Sequence, residues 1–310
     1  MDGVLIVNKP AGWTSHDVVA KARGILRTKK IGHSGTLDPP ATGVLLLCVG
    51  RATRISDYLA AGEKEYLAKA VFGEATDTQD AEGKVVSEAD ASGLTKETLE
   101  SALSEFRGKI KQIPPMVSAV HHEGRRLYEL ARKNMVVERE PRDVEVHELE
   151  LLDFQPGERA KATLRAVTSK GTYVRTICHD LGERLGVGAH LDELIRLRVG
   201  RFRVEDAIAL EELAALAQAG RVGEKMLSIG EALSHLPSCS VSEEDARVVL
   251  HGGRAAVPEG VELNGGEEVL VLSPNGELLA LAKPVTEGGA LKLQPTKVLA
   301  TAVLSEIGGP

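Results

Sequence analysis

Cysteines and aromatic residues are scarce in this sequence. Three of its 310 residues are cysteine, and aromatic residues make up 3%. Cys48, Cys178 and Cys239 lie far apart and form no CxxC pair, which argues against a disulfide framework or a cysteine-based zinc site. The histidines form no HExxH pattern, and cofactor motifs are missing, so we predict neither a bound metal nor a cofactor.

Long hydrophobic runs are also missing. No apolar stretch approaches the roughly 20 residues that span a bilayer, and the first residues lack the basic segment and cleavage site of a signal peptide. We therefore expect a soluble cytoplasmic protein that does not bind a membrane. Hydrophobic residues make up 43% and charged residues 27%, which is ordinary globular composition.

The charge is unevenly distributed along the chain. The formal net charge of -7 argues against a polyanionic partner. However, basic residues outnumber acidic ones by eight to four in residues 1–60, seven to two in 106–133 and ten to four in 159–203. Because phosphate binding depends on the local field, these segments could form one nucleic-acid-binding face. An ordinary solvated surface is the alternative.

Hydrophobic periodicity predicts an α+β unit followed by a smaller module. Strands are predicted at 3–9 and 65–73 and on both sides of the Pro156-Gly157 turn, and helices at 15–26, 95–106 and 172–185. Beyond Pro237, short apolar strands flank Asn275-Gly276, which is a hairpin signal. We predict two domains, residues 1–236 and 237–310.

The stretch Gly32–Gly43 is the densest candidate for chemistry. Residues 31–40 read as a glycine-rich polar loop, and two prolines directly after Asp38 hold that residue stiffly. The stretch has neither the lysine of a P-loop nor the GxSxG spacing of a hydrolase. From spacing alone, Asp38 is either a reactive carboxylate or a turn cap.

A second candidate is Arg175, which stands among apolar residues at a predicted strand-to-helix crossover. Burying an unpaired guanidinium is costly, so Arg175 requires an anion, and an aspartate is the obvious partner. A purely structural ion pair is the alternative.

The acidic stretch 77–83 lacks the ligand order of a calcium loop, and we expect it to be a solvated turn.

The string Gly32-His-Ser-Gly-Thr-Leu-Asp-Pro-x-Ala-Thr-Gly43 resembles the catalytic motif of the TruB-type tRNA pseudouridine synthases. Further strings similar to that family, in order, are Asn8–Asp17, Lys64–Tyr66, Ile113–Ala119, Gly124–Arg132, Ser169–Arg175 and Gly188–Arg196. The resemblance implies an α+β pseudouridine synthase fold, with a mixed, largely antiparallel central sheet flanked by helices. It also implies an RNA-gripping insertion at about residues 106–142 and a small C-terminal β-rich PUA barrel.

The same resemblance assigns roles to individual residues. Asp38 matches the essential aspartate, Arg175 the arginine that pairs with it, and Tyr66 the tyrosine that stacks on the target base. The residues that it places in substrate binding are His33, Leu194, Lys9, Tyr173, Arg125, Arg126 and Arg132, with Lys9 expected to support the site.

The activity implied by the resemblance is isomerisation of the T-loop uridine-55 of tRNA to pseudouridine, by base flipping and nucleophilic attack of the aspartate. This reaction needs no cofactor, and we expect a monomer without an obligatory protein partner. The aspartate can attack either C6 of the uracil or C1′ of the ribose, and the sequence is compatible with both. The alternatives are an RNA-binding or RNA-folding module with dispensable catalysis, and a guide-RNA-dependent synthase subunit, which the insertion at 114–142 disfavours.

Overall fold

The computed structural model of this chain describes residues 1–300, apart from positions 119, 123, 132, 134, 259, 262, 264 and 265 and the side chains of residues 122, 126 and 128. The described strands are β1 (Gly3–Lys9), β2 (Ile31–Ser34), β3 (Thr42–Val49), β4 (Lys64–Phe72), β5 (Glu74–Thr76), β6 (Val85–Glu88), β7 (Gly108–Gln112), β8 (His121–His122), β9 (Arg125–Arg126), β10 (Arg142–Gln155), β11 (Lys161–Thr168), β12 (Ala189–Val199), β13 (Phe202–Arg203), β14 (Ser238–Ser240), β15 (Ala255–Ala256), β16 (Val269–Leu272), β17 (Leu278–Glu287) and β18 (Ala290–Val298).

The described helices are α1 (Ser15–Leu26), α2 (Ser56–Ala61), α3 (Lys96–Ser104), α4 (Leu127–Ala131), α5 (Val174–Leu185), α6 (Leu210–Gln218), α7 (Ile229–Ala232) and α8 (Glu243–Leu250). None of them is long and apolar enough to cross a membrane. Thr14 caps α1 through a reciprocal pair of hydrogen bonds with Asp17. The α5 helix ends at Gly186, whose φ of 73° places it in the left-handed region.

Nine of the described strands form one central sheet, in the order β1-β3-β12-β4-β11-β10-β7, with β2 paired to β3 and β13 to β12. The described pairs in this sheet are antiparallel apart from β3 and β12, which run parallel over two residue pairs, Ile195 with Thr42 and Arg196 with Gly43. The prediction of a mixed, largely antiparallel sheet flanked by helices is confirmed. We call the short β3–β12 contact the seam, because it joins two halves of the sheet.

The hydrophobic core lies on both faces of β3. Leu45 and Leu47 pack into a cluster with Val18 and Val19 of α1, while the alternate residues, such as Leu46, belong to a second cluster. A strand buried on both faces has no polar positions, which explains the continuous apolar run in its sequence. A third cluster lies between β4, β11, α3 and α5.

Three elements differ from the sequence prediction. Ile31–Ser34, predicted as part of a polar loop, is strand β2, which pairs with β3. The β12 strand was not predicted at all, although it occupies the middle of the sheet. Strand β7 lies at the start of the predicted insertion and pairs with β10 in the central sheet, so the segment outside that sheet begins after Gln112.

The C-terminal module contains a five-stranded sheet of described strands, in the order β14-β16-β17-β18-β15. The hairpin predicted around Asn275-Gly276 is present as β16 and β17. Leu270, Leu281 and Leu299 of this module share one buried cluster with residues of β1 and β3. The two parts of the chain therefore stabilise each other through a common core.

Candidate active site

A cavity of about 560 Å³ opens beside the seam. The residues that line it include Asp38, Tyr66, Tyr173, Arg175 and Leu194, together with Arg196. Asp38 follows β2, Tyr66 lies on β4, and Arg175 lies in the first turn of α5. The fold thus assembles five of the predicted site residues from distant parts of the sequence.

The loop that carries Asp38, residues 35–41, is the aspartate loop. The main chain of Leu37 is held from both sides by the Ser15 hydroxyl, which accepts from its N–H at 2.9 Å and donates to its carbonyl oxygen at 3.2 Å. The Gly12 N–H donates to the Pro39 carbonyl at 2.9 Å, and the Ala41 N–H donates to the Asp38 carbonyl at 3.1 Å. These bonds fix the loop against the start of α1.

Lys9 lies beneath the aspartate loop and is fully buried, so the structure places it outside the cavity wall. Its Nζ donates to the carbonyl oxygens of Pro10, Trp13 and Pro39 at 2.9, 2.6 and 2.9 Å. Burial lowers the pKa of Lys9 to about 8, although the Asp38 charge opposes this shift. Lys9 thus binds the main chain around the aspartate loop instead of lining the cavity.

Arg175 has the carboxylate partner that its sequence context requires. Its Nη2 lies 3.0 Å from Asp38 Oδ2, and the arginine side chain is only 2% exposed. The same guanidinium contacts a second carboxylate, with Nη1 3.1 Å from Asp80 Oδ2, and donates to the Val117 carbonyl at 2.6 Å. One buried cation thus connects two aspartates.

Asp80 is the functional candidate that the sequence reading missed. Residues 77–83 were predicted as a solvated turn, which is wrong for Asp80, because this residue is buried. Its Oδ1 accepts from the Thr78 hydroxyl at 2.5 Å and from the Glu82 N–H at 3.2 Å, which leaves Oδ2 for Arg175. A threonine two residues before an aspartate is compatible with such a local hydrogen bond. This spacing does not predict that the aspartate also binds Arg175.

The charges around Asp38 act in opposite directions. Burial raises the pKa of Asp38 above its ordinary value, Arg175 lowers it, and the Asp80 carboxylate raises it further. The carboxyl side chain is nevertheless 36% exposed toward the cavity. Arg175 is therefore the group that most strongly favours the ionised form of an accessible Asp38, against its burial.

Tyr66 and Leu194 supply apolar surface to the cavity. Tyr66 lies on β4 and is 7% exposed, and burial raises the pKa of its hydroxyl. Leu194 lies on the neighbouring strand β12, two residues before Arg196, which is the cross-strand partner of Tyr66. A ring and an aliphatic side chain beside a carboxylate suit a flat, polar-edged ligand such as a nucleobase.

The remaining predicted residues have different positions. Tyr173 lines the cavity, with its ring centroid 5.8 Å from the Arg175 guanidinium carbon. His33 lies on β2, where its ring meets the edge of His16 at a centroid distance of 5.3 Å. Arg125 is exposed on the β8–β9 hairpin. The side chain of Arg126 and the whole of Arg132 lie outside the described residues.

In the part of the chain that the structure describes, no group of three or more His, Cys, Asp or Glu residues is placed to hold a metal ion. Arg142 and Lys170 line the cavity and add positive charge to it. The site thus combines a paired carboxylate, a buried aromatic ring and a basic lining. This combination suits nucleophilic chemistry on a base of a polyanion.

Comparisons with known proteins agree with this geometry. The model of the TruB family pseudouridylate synthase N-terminal domain matches residues 23–174, and that of the tRNA pseudouridylate synthase B C-terminal domain matches residues 175–233. The tRNA pseudouridine synthase B of Symbiobacterium thermophilum is 55% identical over 257 residues, which cover 83% of this chain and 84% of that protein. The protein of the same name from Heliobacterium mobile is 42% identical over 299 residues, covering 96% and 95%.

Among solved structures, the chain is similar to one described as "Structure of H/ACA RNP bound to a substrate RNA containing 2'-deoxyuridine", with a TM-score of 0.73 and 27% identity over 96% of this chain and 85% of that one. A second, described as "Crystal structure of the archaeal box H/ACA sRNP Nop10-Cbf5 complex", gives a TM-score of 0.72 at 27% identity, covering 96% and 86%. The fold and the site define a pseudouridine synthase. Within that class, the chain belongs to the TruB family of pseudouridylate synthases.

Proposed function

We propose that this chain is an isomerase that converts uridine 55 in the T-loop of tRNA to pseudouridine. The observation that carries the proposal is the Asp38 carboxylate, held 3.0 Å from Arg175 in a cavity that Tyr66 and Leu194 also line. The relatives named tRNA pseudouridine synthase B support tRNA as the substrate. The basic residues in the cavity lining support a polyanionic substrate despite the acidic net charge.

The target uridine must leave its stack to reach Asp38. An extruded base that stacks on the Tyr66 ring recovers on the order of 1 to 3 kcal/mol, which offsets part of the cost of extrusion. Leu194 contacts the base from the neighbouring strand and keeps water away from it. The ring and the leucine thereby hold the uracil while it is detached from its ribose.

The reaction rearranges bonds within one nucleotide. Asp38 attacks either C6 of the uracil or C1′ of the ribose, and the N1–C1′ bond breaks. The uracil turns, C5 bonds to C1′, the proton on C5 is lost, and N1 gains a proton. Release of Asp38 restores the carboxylate, so that the substrate and the product have the same atoms. Arg175 serves this cycle because attack requires the ionised form of Asp38.

We assign RNA contacts to three further parts of the chain. Arg125, Arg126 and Arg132 belong to the segment between β7 and β10, whose basic residues suit contacts with tRNA phosphates. His33 is assigned to the flipped-out T-loop by the same family resemblance. The C-terminal module, which we interpret as a PUA-like RNA-binding domain, adds a further contact with tRNA.

We also propose that the chain acts as a cytoplasmic monomer without an obligatory protein or guide-RNA partner. A guide-dependent subunit is the second candidate, because the similar solved structures include H/ACA complexes. Against it stand two relatives named tRNA pseudouridine synthase B, of which 84% and 95% of the length is matched.

The experiment uses purified chain and an unmodified tRNA transcript without other macromolecules. We expect pseudouridine at position 55 only, detected by carbodiimide labelling and primer extension, and none in a matched transcript with cytidine at that position. Binding without product would favour an RNA-folding module. Product that appears only after a guide RNA and accessory proteins are added would favour the guide-dependent subunit.

A further inference from the structure

Arg196 is the largest of the fully buried side chains in the described part of the chain, with 1% exposure. Its Nε donates to the Val44 carbonyl at 2.8 Å, its Nη1 to the Thr36 carbonyl at 3.1 Å and its Nη2 to the Gly35 carbonyl at 3.0 Å. Two of these three acceptors belong to the aspartate loop. A buried guanidinium with main-chain acceptors at such separate points acts as a clamp on the chain that it holds.

The backbone of Arg196 lies at the seam. Arg196 and Gly43 form one of the two residue pairs that join β12 to β3. A Cβ atom at Gly43 would lie 2.2 Å from the Arg196 carbonyl oxygen, so glycine, with its φ of +102°, is what lets the two strands approach. The aspartate loop enters β3 from one side of the seam, whereas Tyr66 and Arg175 belong to the other side.

Arg196 is also adjacent to Tyr66 in the central sheet. Arg196 is the cross-strand partner of Tyr66 on β4, and its positive charge opposes the burial that raises the pKa of the Tyr66 hydroxyl. Arg196 also lines the cavity. One rigid group therefore connects the loop that carries Asp38 with the ring assigned to the target base.

We propose that Arg196 is a positioning residue that holds the aspartate loop and the Tyr66 ring in fixed register across the seam. This inference rests on the proposed function. Among the residues that the structure describes, the seam provides two backbone pairs between the halves, so the relative position of Asp38 and Tyr66 needs a side-chain connection. A planar fork with five N–H groups reaches three separate main-chain carbonyls at once, whereas a lysine ammonium has three donors at a single point.

The positive charge of Arg196 has a second consequence for the same site. Burial raises the pKa of Asp38, and the Arg196 charge opposes this rise, although less than Arg175 and Lys9 do. Loss of the charge therefore disfavours the ionised carboxylate, and the acid limb of the rate profile should move to higher pH. Arg196→Lys keeps the charge and should leave the acid limb in place.

The test compares Arg196→Lys and Arg196→Gln with wild type, using tRNA transcript as the substrate. A displacement of about 1 Å between reacting groups can cost about 100-fold in rate. We therefore expect kcat to fall by about 100-fold in Arg196→Gln and less in Arg196→Lys, while KM and tRNA affinity stay within about threefold. The acid limb should move upward in Arg196→Gln and stay in place in Arg196→Lys.

Arg198→Gln is the matched control. Arg198 lies two residues further along β12 and bonds to Glu65 at 3.0 Å rather than to the aspartate loop. The Arg198→Gln substitution removes one positive charge from the same strand as Arg196→Gln does, and we expect this variant to have the wild-type kcat. Circular dichroism and thermal melting establish that each variant is folded at the assay temperature.

Each other outcome overturns the positioning role. Folded Arg196 variants with wild-type kcat would show that the clamp is dispensable. A raised KM or weakened binding with unchanged kcat would assign Arg196 to RNA binding, and failure of both variants to fold would assign it to stability alone. Failure of the wild-type chain to isomerise uridine would instead refute the proposed function, so the two failures are distinguishable.

Discussion

Substitution of Asp80 by asparagine tests the network around Arg175 without removing Asp38, the proposed nucleophile. Asparagine has nearly the same shape as aspartate, and its amide can still accept from Thr78 and the Glu82 N–H. What is lost is the negative charge 3.1 Å from Arg175 Nη1. Arg175 would then have Asp38 and the Val117 carbonyl as its remaining acceptors among the described residues.

The expected magnitude follows from the burial of this contact. A hydrogen bond to a charged group contributes about 1.5 to 3 kcal/mol, and each 1.4 kcal/mol corresponds to a tenfold change in rate. Arg175 is 2% and Asp80 10% exposed, so solvent screens the bond little. If the network orients Asp38 in the transition state, kcat should fall by about 10- to 100-fold.

The Asp80→Asn substitution should also shift the pH dependence of kcat. The Asp80 carboxylate raises the pKa of Asp38, so its removal should lower that pKa. Since the reactive form is the ionised one, the acid limb of the kcat profile should move to lower pH.

The assay is single-turnover conversion of tRNA by Asp80→Asn across the acid range. Asp77→Asn is the control, because Asp77 lies in the same turn but is exposed and accepts from the Lys84 N–H. An Asp80→Asn enzyme with wild-type kcat and an unmoved acid limb would refute the catalytic role of this network.

Two further predictions concern the RNA face and the shared core. Neutralising Arg125, Arg126 and Arg132 together should raise KM and flatten the dependence of tRNA affinity on salt, with kcat at saturating tRNA unchanged; an unchanged salt slope would contradict RNA gripping by this segment. Leu281 is fully buried in the cluster shared by both modules, so Leu281→Ala should lower the unfolding free energy by about 2 to 5 kcal/mol. Leu152→Ala, at a 53% exposed site, should change it by less than about 0.5 kcal/mol, and equal melting temperatures for the two variants would argue against a common core.

The elements that sequence analysis predicted best are those with unbroken local signals. Strand β1 is a short apolar run that ends before Pro10, and helix α1 has its apolar residues at helical spacing. Strand β12 lacked such a signal. Charged residues stand at 192, 193, 196 and 198, and register shifts follow Leu191 and Arg196, so its alternation is interrupted twice.

Local signals also decided which site residues were predicted. Asp38 and Arg175 stand in unusual sequence contexts, and the expected ion pair between them is present in the structure. Asp80 lies 95 residues from Arg175 in the chain, and only the turn after β5 and the position of α5 bring them together. The acceptors of Arg196 are main-chain carbonyls 152 to 161 residues away, which no sequence pattern indicates.

The most direct test of the account is single-turnover isomerisation by Asp38→Asn. Asparagine keeps the shape of the side chain but cannot act as a carboxylate nucleophile. We predict no detectable pseudouridine at position 55, with tRNA affinity within a few fold of wild type, after mass spectrometry has excluded deamidation back to aspartate. Substantial turnover by verified Asp38→Asn protein would contradict the assignment of Asp38 as the nucleophile.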